Sequence, residues 1–295
     1  MPALSLAPVK PQPMSRFGHV RAFLFIFVLF APLLFINFLQ ALALPLRFIA
    51  PIQERRWNTL MASIYWGYIA WMIEHANNIQ IDLRGDQLDP LENSILICNH
   101  QSAFDTLLII VWARRARRVG TLRFFAKDVL KYVPGPGWGM YLLDCLFLKR
   151  SWEEDAINIQ ATLNRFKKSP IPYCWVIFPE GTRRTPEKLK LSQAKARERQ
   201  RPQFEHVLNP HPRGFATFAR GLDTHMDSVM DMTIVYPDGT PSVWGLMMGA
   251  SPRVQIHVRR FRRQDLPAEQ LAQWLEQRFE DKERVLASAA ADAQK

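Results

Sequence analysis

The chain has 295 residues and a net charge of +11, with an isoelectric point near 9.9. That length allows a full buried core in one or two domains, and the basic balance points to an anionic partner, either a phospholipid surface or nucleic acid. Cys98, Cys145 and Cys174 stand in apolar runs without a CxxC spacing. This argues against a disulfide framework and for buried reduced thiols in a cytosol-facing body; the histidines show no metal-ligand spacing.

Residues 1–21 read as a flexible tail, with four prolines before Phe17 and little apolar periodicity. From Ala22 to Leu46 there are 25 residues without a charge, enough to cross the hydrocarbon core of a bilayer. Pro32, Asn37, Gln40 and Pro45 interrupt the run, so a helix kinked at Pro32 and dipping into one leaflet competes with a full crossing. Ala41-Leu42-Ala43 resembles a signal cleavage site, but the apolar region is long for that role. Arginines flank the segment on both sides and leave its orientation open. Trp57 to Ile73 carries Trp57, Tyr65, Trp66, Tyr68 and Trp71, amphipathic aromatics of the kind that settle at headgroup level. The competing reading of this stretch is an ordinary core helix. Residues 22–78 are expected to form a membrane-associated helical hairpin.

Beyond it, residues 79–295 alternate short strands with helices. Strands are predicted at Ile79–Arg84, Ser94–Cys98, Leu122–Ala126, Asp144–Leu148, Tyr173–Phe178, Met232–Tyr236 and Arg253–Val258. Helices are predicted at 104–118, 127–132, 152–167, 213–221 and 267–287, the last with Leu271, Trp274, Leu275, Phe279 and Leu286 along one face. The alternation predicts an α/β fold, a mostly parallel mixed sheet flanked by helices. Between Arg183 and Arg201 eight Lys/Arg face two Glu, a local surplus of +6. Such a run reads as a solvated face, a disordered loop or a surface that adsorbs to anionic lipid. It has no aromatics on which bases could stack, so nucleic acid is not expected as a partner.

The chemistry is concentrated in Ile95-Leu96-Ile97-Cys98-Asn99-His100-Gln101-Ser102-Ala103-Phe104-Asp105. An apolar strand ends in Asn-His, and an aspartate follows in the first turn of a helix. Imidazole titrates near neutrality and can take a proton from an alcohol, while a carboxylate on its other nitrogen fixes the tautomer. Residues five apart do not share a helix face, so His100 must stand in the turn with Asp105 reaching back. Ser102-x-x-Asp105 also fits a capping box, in which Asp105 bonds the backbone of Ser102.

Two further strands run into polar residues: Asp144–Leu148 into Lys149-Arg150, and Tyr173–Phe178 into Pro179-Glu180-Gly181-Thr182-Arg183-Arg184. If the strands are parallel, all three groups emerge at one carboxyl edge, where open α/β sheets place ligands. Arginine forks suit phosphate oxygens, and Gly181 lets backbone amides approach an anion. For Arg150 a structural salt bridge competes with a phosphate role, and for Glu180 a buried turn acceptor competes with a functional one.

Asn99-His100-x4-Asp105 followed by Phe178-Pro179-Glu180-Gly181-Thr182-Arg183 resembles the first and third motifs of the PlsC, or lysophosphatidic acid acyltransferase, family of glycerolipid acyltransferases. The second motif departs from the family pattern: Asp144 stands where a glycine is expected and Lys149 where an acid is expected. Tyr236-Pro237-Asp238-Gly239 resembles the branch that contains lysocardiolipin and related lysophospholipid acyltransferases.

The resemblance implies direct transfer of an acyl chain from acyl-CoA or acyl carrier protein, as co-substrate, to a lysophospholipid hydroxyl. The acceptor is expected to be 1-acyl-glycerol-3-phosphate, giving phosphatidic acid, or alternatively a lysophosphatidylglycerol or lysocardiolipin type. It implies His100 and Asp105 as catalytic residues, and Arg150, Glu180, Gly181, Thr182 and Arg183 around the acceptor phosphate. No metal or other cofactor is implied. A membrane thioesterase and a non-catalytic lipid-binding protein are the other classes. The place implied is a phospholipid surface, the cell inner membrane, with the catalytic domain facing the cytoplasm.

Overall fold

The computed structural model describes residues 16–76, 79–149 and 151–292. The expected tail at 1–21 lies outside the described residues as far as Ser15, and its last part is helical: α1 runs Arg16–Ala41. Pro32 is inside α1 without ending it. A short α2, Leu46–Ile49, turns the chain into α3, Pro51–Ala76, which packs back on α1. Among the described residues, His19–Ala41 is the one helix long and apolar enough to cross a membrane.

Three of the five aromatics expected at headgroup level in α3 turn to protein partners. Tyr65 and Tyr68 donate their hydroxyls to Leu29 O (3.1 Å) and Val28 O (3.2 Å) on α1. Trp66 lies edge-on to Phe124, its ring centre 5.7 Å away. These three rings are therefore directed to protein partners. Trp57 and Trp71 keep exposed surface, and Trp57 also donates Nε1–H to Leu39 O at 2.8 Å.

All seven predicted strands form: β1 Gln80–Gly85, β2 Ser94–Cys98, β3 Leu122–Lys127, β4 Leu146–Leu148, β5 Cys174–Ile177, β6 Ser228–Val235 and β7 Arg253–Arg262. They make one sheet in the order β1-β7-β6-β2-β5-β3-β4. Every pairing is parallel except β6 with β7. Hence β2 to β6 point one way, and β1 and β7 the other. β2 is central because Ser-Ile-Leu-Ile-Cys can be buried on both faces, as a parallel strand between helical layers must be. Its Leu96 pairs with Val176 of β5 and Met230 of β6.

Strand alternation divides the core in two. Leu96 and Cys98 face a layer made by α3 and α4 (Phe104–Arg115), to which α1 adds Leu33 and Ile36. Ile95 and Ile97 face α6 (Trp152–Lys167), α8 (Pro212–Leu222) and α10 (Leu271–Asp292). The α10 stripe expected from its spacing is buried as predicted, but Lys282 is buried with it.

Three local expectations differ. The stretch 127–132 is a 3-10 turn, Asp128–Tyr132, followed by an unpredicted α5, Pro136–Leu142. The basic run is neither loop nor disorder: it forms α7, Pro186–Glu198, started by Thr185, whose hydroxyl accepts from Lys188 N, with Pro186 at its first position. Asp144 does not open β4. Its φ of +56° puts it in the left-handed region, and its carboxylate is held by Arg55 (3.1 Å) and Arg165 (3.0 Å). A glycine is what the related motif has there; aspartate is one of the few other residues that tolerate the conformation. A five-residue α9, Val243–Met247, completes the helices.

Candidate active site

The parallel run of β2, β5 and β6 brings the ends of three strands to one edge. Asn99 continues β2 by a side-chain imitation of the ladder: its amide donates to Ile234 O and accepts from Ile234 N, both at 2.9 Å. His100 comes next, at the rim.

Three contacts stitch His100 to the turn after β5. Its backbone N–H donates to Glu180 Oε1 (2.8 Å), its carbonyl accepts from Arg184 N (2.8 Å), and its ring stacks on Phe178 with centroids 4.0 Å apart. The Asn-His and Phe-Pro-Glu-Gly-Thr-Arg segments are thus one structural unit. The His100 side chain remains 16% exposed and lines a cavity.

Asp105 is fully buried and accepts four hydrogen bonds. Oδ2 takes His100 Nδ1 (2.9 Å) and the backbone N–H groups of Gln101 (2.7 Å) and Ser102 (2.8 Å). Oδ1 takes the Tyr236 hydroxyl at 2.5 Å. Cap and histidine partner are therefore the same carboxylate. Ser102 accepts from Phe104 N (3.2 Å) and donates to Pro241 O (2.9 Å), fastening the loop after β6 over the site. Burial and the neighbouring Asp105 charge push the Tyr236 phenol well up, which keeps it a donor. Burial also raises the Cys98 thiol well above its ordinary value, leaving it a poor nucleophile.

Glu180 is placed as a turn acceptor. Besides His100 N it accepts from Leu208 N (3.2 Å), and burial raises its carboxyl to about 8 against those two amides. Gly181 takes φ +68°, and a Cβ there would stand 3.2 Å from the His211 ring. The Thr182 hydroxyl accepts from Lys188 Nζ at 2.6 Å, and Arg183 is exposed at the rim. Arg150 lies outside the described residues; its neighbour Lys149 pairs with Glu154 at 2.6 Å.

The cavity has a volume of about 1210 Å³. Arg183, Lys188 and Arg213 line it at the polar end beside His100, and Phe25, Leu33, Tyr65 and Ile69 of the N-terminal helices line the apolar end. Charge and imidazole at one end and hydrocarbon at the other suit a ligand with an anionic head and an acyl chain.

Tyr236, Lys188 and Arg213 are the residues that sequence reasoning did not place in the site. Tyr236 belongs to the Tyr-Pro-Asp-Gly segment, yet nothing in its neighbours signals a contact with Asp105. Lys188 lay within the basic run, and its contact with Thr182 depends on the turn between Thr182 and the start of α7, which no spacing signals.

Residues 80–235 match the family described as Acyltransferase, and residues 245–289 that described as Acyltransferase C-terminus. The chain belongs to the acyltransferase family. It is 31% identical over 260 residues to the 1-acyl-sn-glycerol-3-phosphate acyltransferase gamma of Homo sapiens, covering 85% of this chain and 69% of that protein. It is 29% identical to the 1-acyl-sn-glycerol-3-phosphate acyltransferase 2 of Brassica napus, over 86% of this chain and 67% of that protein. With the lysocardiolipin acyltransferase 1 of Danio rerio it shares 31% over 82% of this chain and 64% of that protein. The Acyltransferase match holds both strand-end motifs and stops one residue short of Tyr236.

Proposed function

We propose that the protein transfers an acyl chain from a thioester donor to the free glycerol hydroxyl of a lysophospholipid, with 1-acyl-glycerol-3-phosphate as acceptor and phosphatidic acid as product. The observation that carries this is the His100–Asp105 pair, 2.9 Å apart, with His100 at the cationic end of a cavity whose other end is apolar. The names of the relatives support the substrate class.

In this reading Asp105 holds the Nδ1 proton of His100 and leaves Nε2 as base. Nε2 takes the acceptor hydroxyl proton as that oxygen attacks the thioester carbonyl. The tetrahedral intermediate collapses, the C–S bond breaks, and the imidazolium returns its proton to the departing thiolate. One ester forms, one thioester is lost, and His100 ends as it began. No acyl-enzyme is required, because the thioester is already activated.

Thr182 and Arg183, with Arg150, bind the acceptor phosphate, and Gly181 lets the turn approach it. Glu180 serves by shaping the turn, since both its oxygens are engaged by backbone amides. Acyl-CoA and acyl carrier protein are both admissible donors. Residues 22–78 attach the 79–295 acyltransferase unit to a phospholipid surface, at the cell inner membrane with the site on the cytoplasmic side.

Tyr236-Pro237-Asp238-Gly239 and the lysocardiolipin acyltransferase relative favour a second acceptor class, lysophosphatidylglycerol or lysocardiolipin. Purified protein supplied with one acyl-CoA and a panel of lysophospholipids, read by mass spectrometry, decides between them. Thioester loss that is unchanged without acceptor would make the protein a thioesterase instead. Lipid products unchanged by His100→Ala would make it a binding protein.

A further inference from the structure

The surface between β3 and β4 has a property that the acyl-transfer chemistry does not call for. Over residues 129–141 it exposes Val129, Leu130, Tyr132, Val133, Trp138 and Tyr141, with Tyr132 at 71% and Val129 at 67%. Scattered apolar residues are normal on protein surfaces, but a contiguous cluster marks an interaction site.

The segment is two-faced and is clamped to α1. Leu130, Pro136, Gly139 and Met140 line the cavity. Gly135, at φ +83°, passes so close to α1 that a Cβ would stand 2.9 Å from Leu33 Cδ2, and its carbonyl accepts from Asn37 Nδ2 at 2.9 Å. Phe30 and Leu33 of α1 adjoin Gly135 and line the same cavity.

The outer face continues onto other exposed apolar surface. Tyr141 lies under the Arg47 guanidinium of α2, 6.0 Å from ring centre to Cζ, and Phe48 beside Arg47 is 88% exposed. Phe35 and Phe38 of α1 are exposed as well. Tyr132, Trp138 and Tyr141 are rings with a polar handle, suited to the water–hydrocarbon boundary. Lys127 is exposed at their border, while Lys131 and Arg47 beside it are paired with Asp128 (2.7 Å) and Glu54 (2.8 Å); anionic headgroups would meet Lys127 there.

We propose that the segment Asp128–Leu142 is a second bilayer-contact element. It seats in the headgroup region of an anionic phospholipid membrane beside α1, and between these two elements the lipid acceptor passes from the leaflet into the cavity. The partner is the bilayer itself, and the tie through Gly135 keeps the portal in register with α1.

The test uses the full chain in nanodiscs of phosphatidylcholine and phosphatidylglycerol. An environment-sensitive fluorophore is placed on Tyr132→Cys or Trp138→Cys, the native cysteines being buried. Emission should shift to the blue and be quenched at least twofold by lipids brominated near the headgroup, while a label on exposed Glu269→Cys stays aqueous. Labels at 132 and 138 that remain aqueous while one on Phe35→Cys is quenched would overturn the proposal. So would a blue shift indifferent to bromine that grows with the protein-to-lipid ratio, which would assign the patch to a second copy of the chain.

The portal itself rests on the lipid-acyltransferase reading and has a separate readout. Val129→Ser, Tyr132→Ser and Trp138→Ser combined should raise KM tenfold or more for a long-chain lysophospholipid in nanodiscs. For a short-chain soluble acceptor, kcat and KM should be unchanged. A long-chain KM unchanged by the triple variant, or one raised equally for both acceptors, would remove the portal. A wild-type protein that transfers no acyl chain at all would fail the enzymatic reading, and the quenching result would still decide the membrane contact.

Discussion

The hydroxyl of Tyr236 donates to Asp105 through the carboxylate oxygen that His100 does not use, at 2.5 Å. A residue at the end of β6 thereby fixes the orientation of the group that orients the histidine. The carboxylate has no freedom left: two backbone amides, one ring nitrogen and one phenol converge on it.

Asp105→Asn should reduce turnover by about 10³- to 10⁴-fold, as loss of a triad carboxylate does, because an amide cannot accept from all these donors and hold the Nδ1 proton. Tyr236→Phe should lose far less turnover, about tenfold, and about 1.5–3 kcal/mol of stability, the range for a hydrogen bond to a charged group. Steady-state rates and urea unfolding of both variants check this. An Asp105→Asn protein that melts slightly earlier yet keeps most of its rate would make Asp105 a helix cap and nothing more.

Glu180 predicts a pH dependence of stability. Burial raises its carboxyl to about 8 from an ordinary 4.5. Below 4.5 both folded and unfolded states hold the proton; between 4.5 and 8 the folded state alone holds it. Stability from this group is therefore complete in acid and declines as pH rises through that window, by about 1.4 kcal/mol for each unit of difference. Glu180→Gln, which cannot ionise, should flatten the curve between pH 5 and 8 relative to wild type. Urea midpoints at several pH values measure it, and parallel curves for the two proteins would refute the assignment.

How much of this was readable in the sequence depends on the range of the interaction. β2, β4 and β5 are apolar runs with a local signature, and the edge expected for them followed from their being parallel; that β6 adds its end to the same edge was not legible. α7 was missed because its charges show no apolar face: Leu191 is exposed, and Ala196 is its one fully buried residue. No element was predicted over Pro134-Gly135-Pro136-Gly137, where Gly137 packs against the Leu130 carbonyl and Gly135 against Leu33 as α5 begins. The Tyr236–Asp105 bond spans 131 residues, a distance over which periodicity is silent.

Asp144 gives a test of backbone strain. At φ +56° a Cβ costs about 1 kcal/mol or more relative to glycine, and aspartate bears that cost while binding Arg55 and Arg165. Asp144→Ala and Asp144→Gly both remove the ion pairs, so their difference isolates the conformation. The glycine variant should be the more stable of the two by about 1 kcal/mol in chemical denaturation, and an alanine variant of equal or greater stability would show that the turn carries no strain.

Lys282 and Asp231 form an ion pair buried at 1% and 6% side-chain exposure, joining α10 to the middle of β6. Lys282 Nζ also donates to Met232 O (2.6 Å) and Thr233 Oγ1 (3.2 Å), so all three of its protons are used. A charge left alone in such a place has neither water nor partner. Lys282→Met should therefore destabilise the protein by about 3–5 kcal/mol, because Asp231 remains buried and unpaired. Adding Asp231→Asn removes that stranded charge and should restore a large part of the loss, although each change alone is harmful. Neither residue touches the cavity, so kcat of the folded fraction should stay within about twofold of wild type. A double variant as unstable as the sum of the two single ones would mean that the pair contributes through packing of α10 rather than through mutual neutralisation.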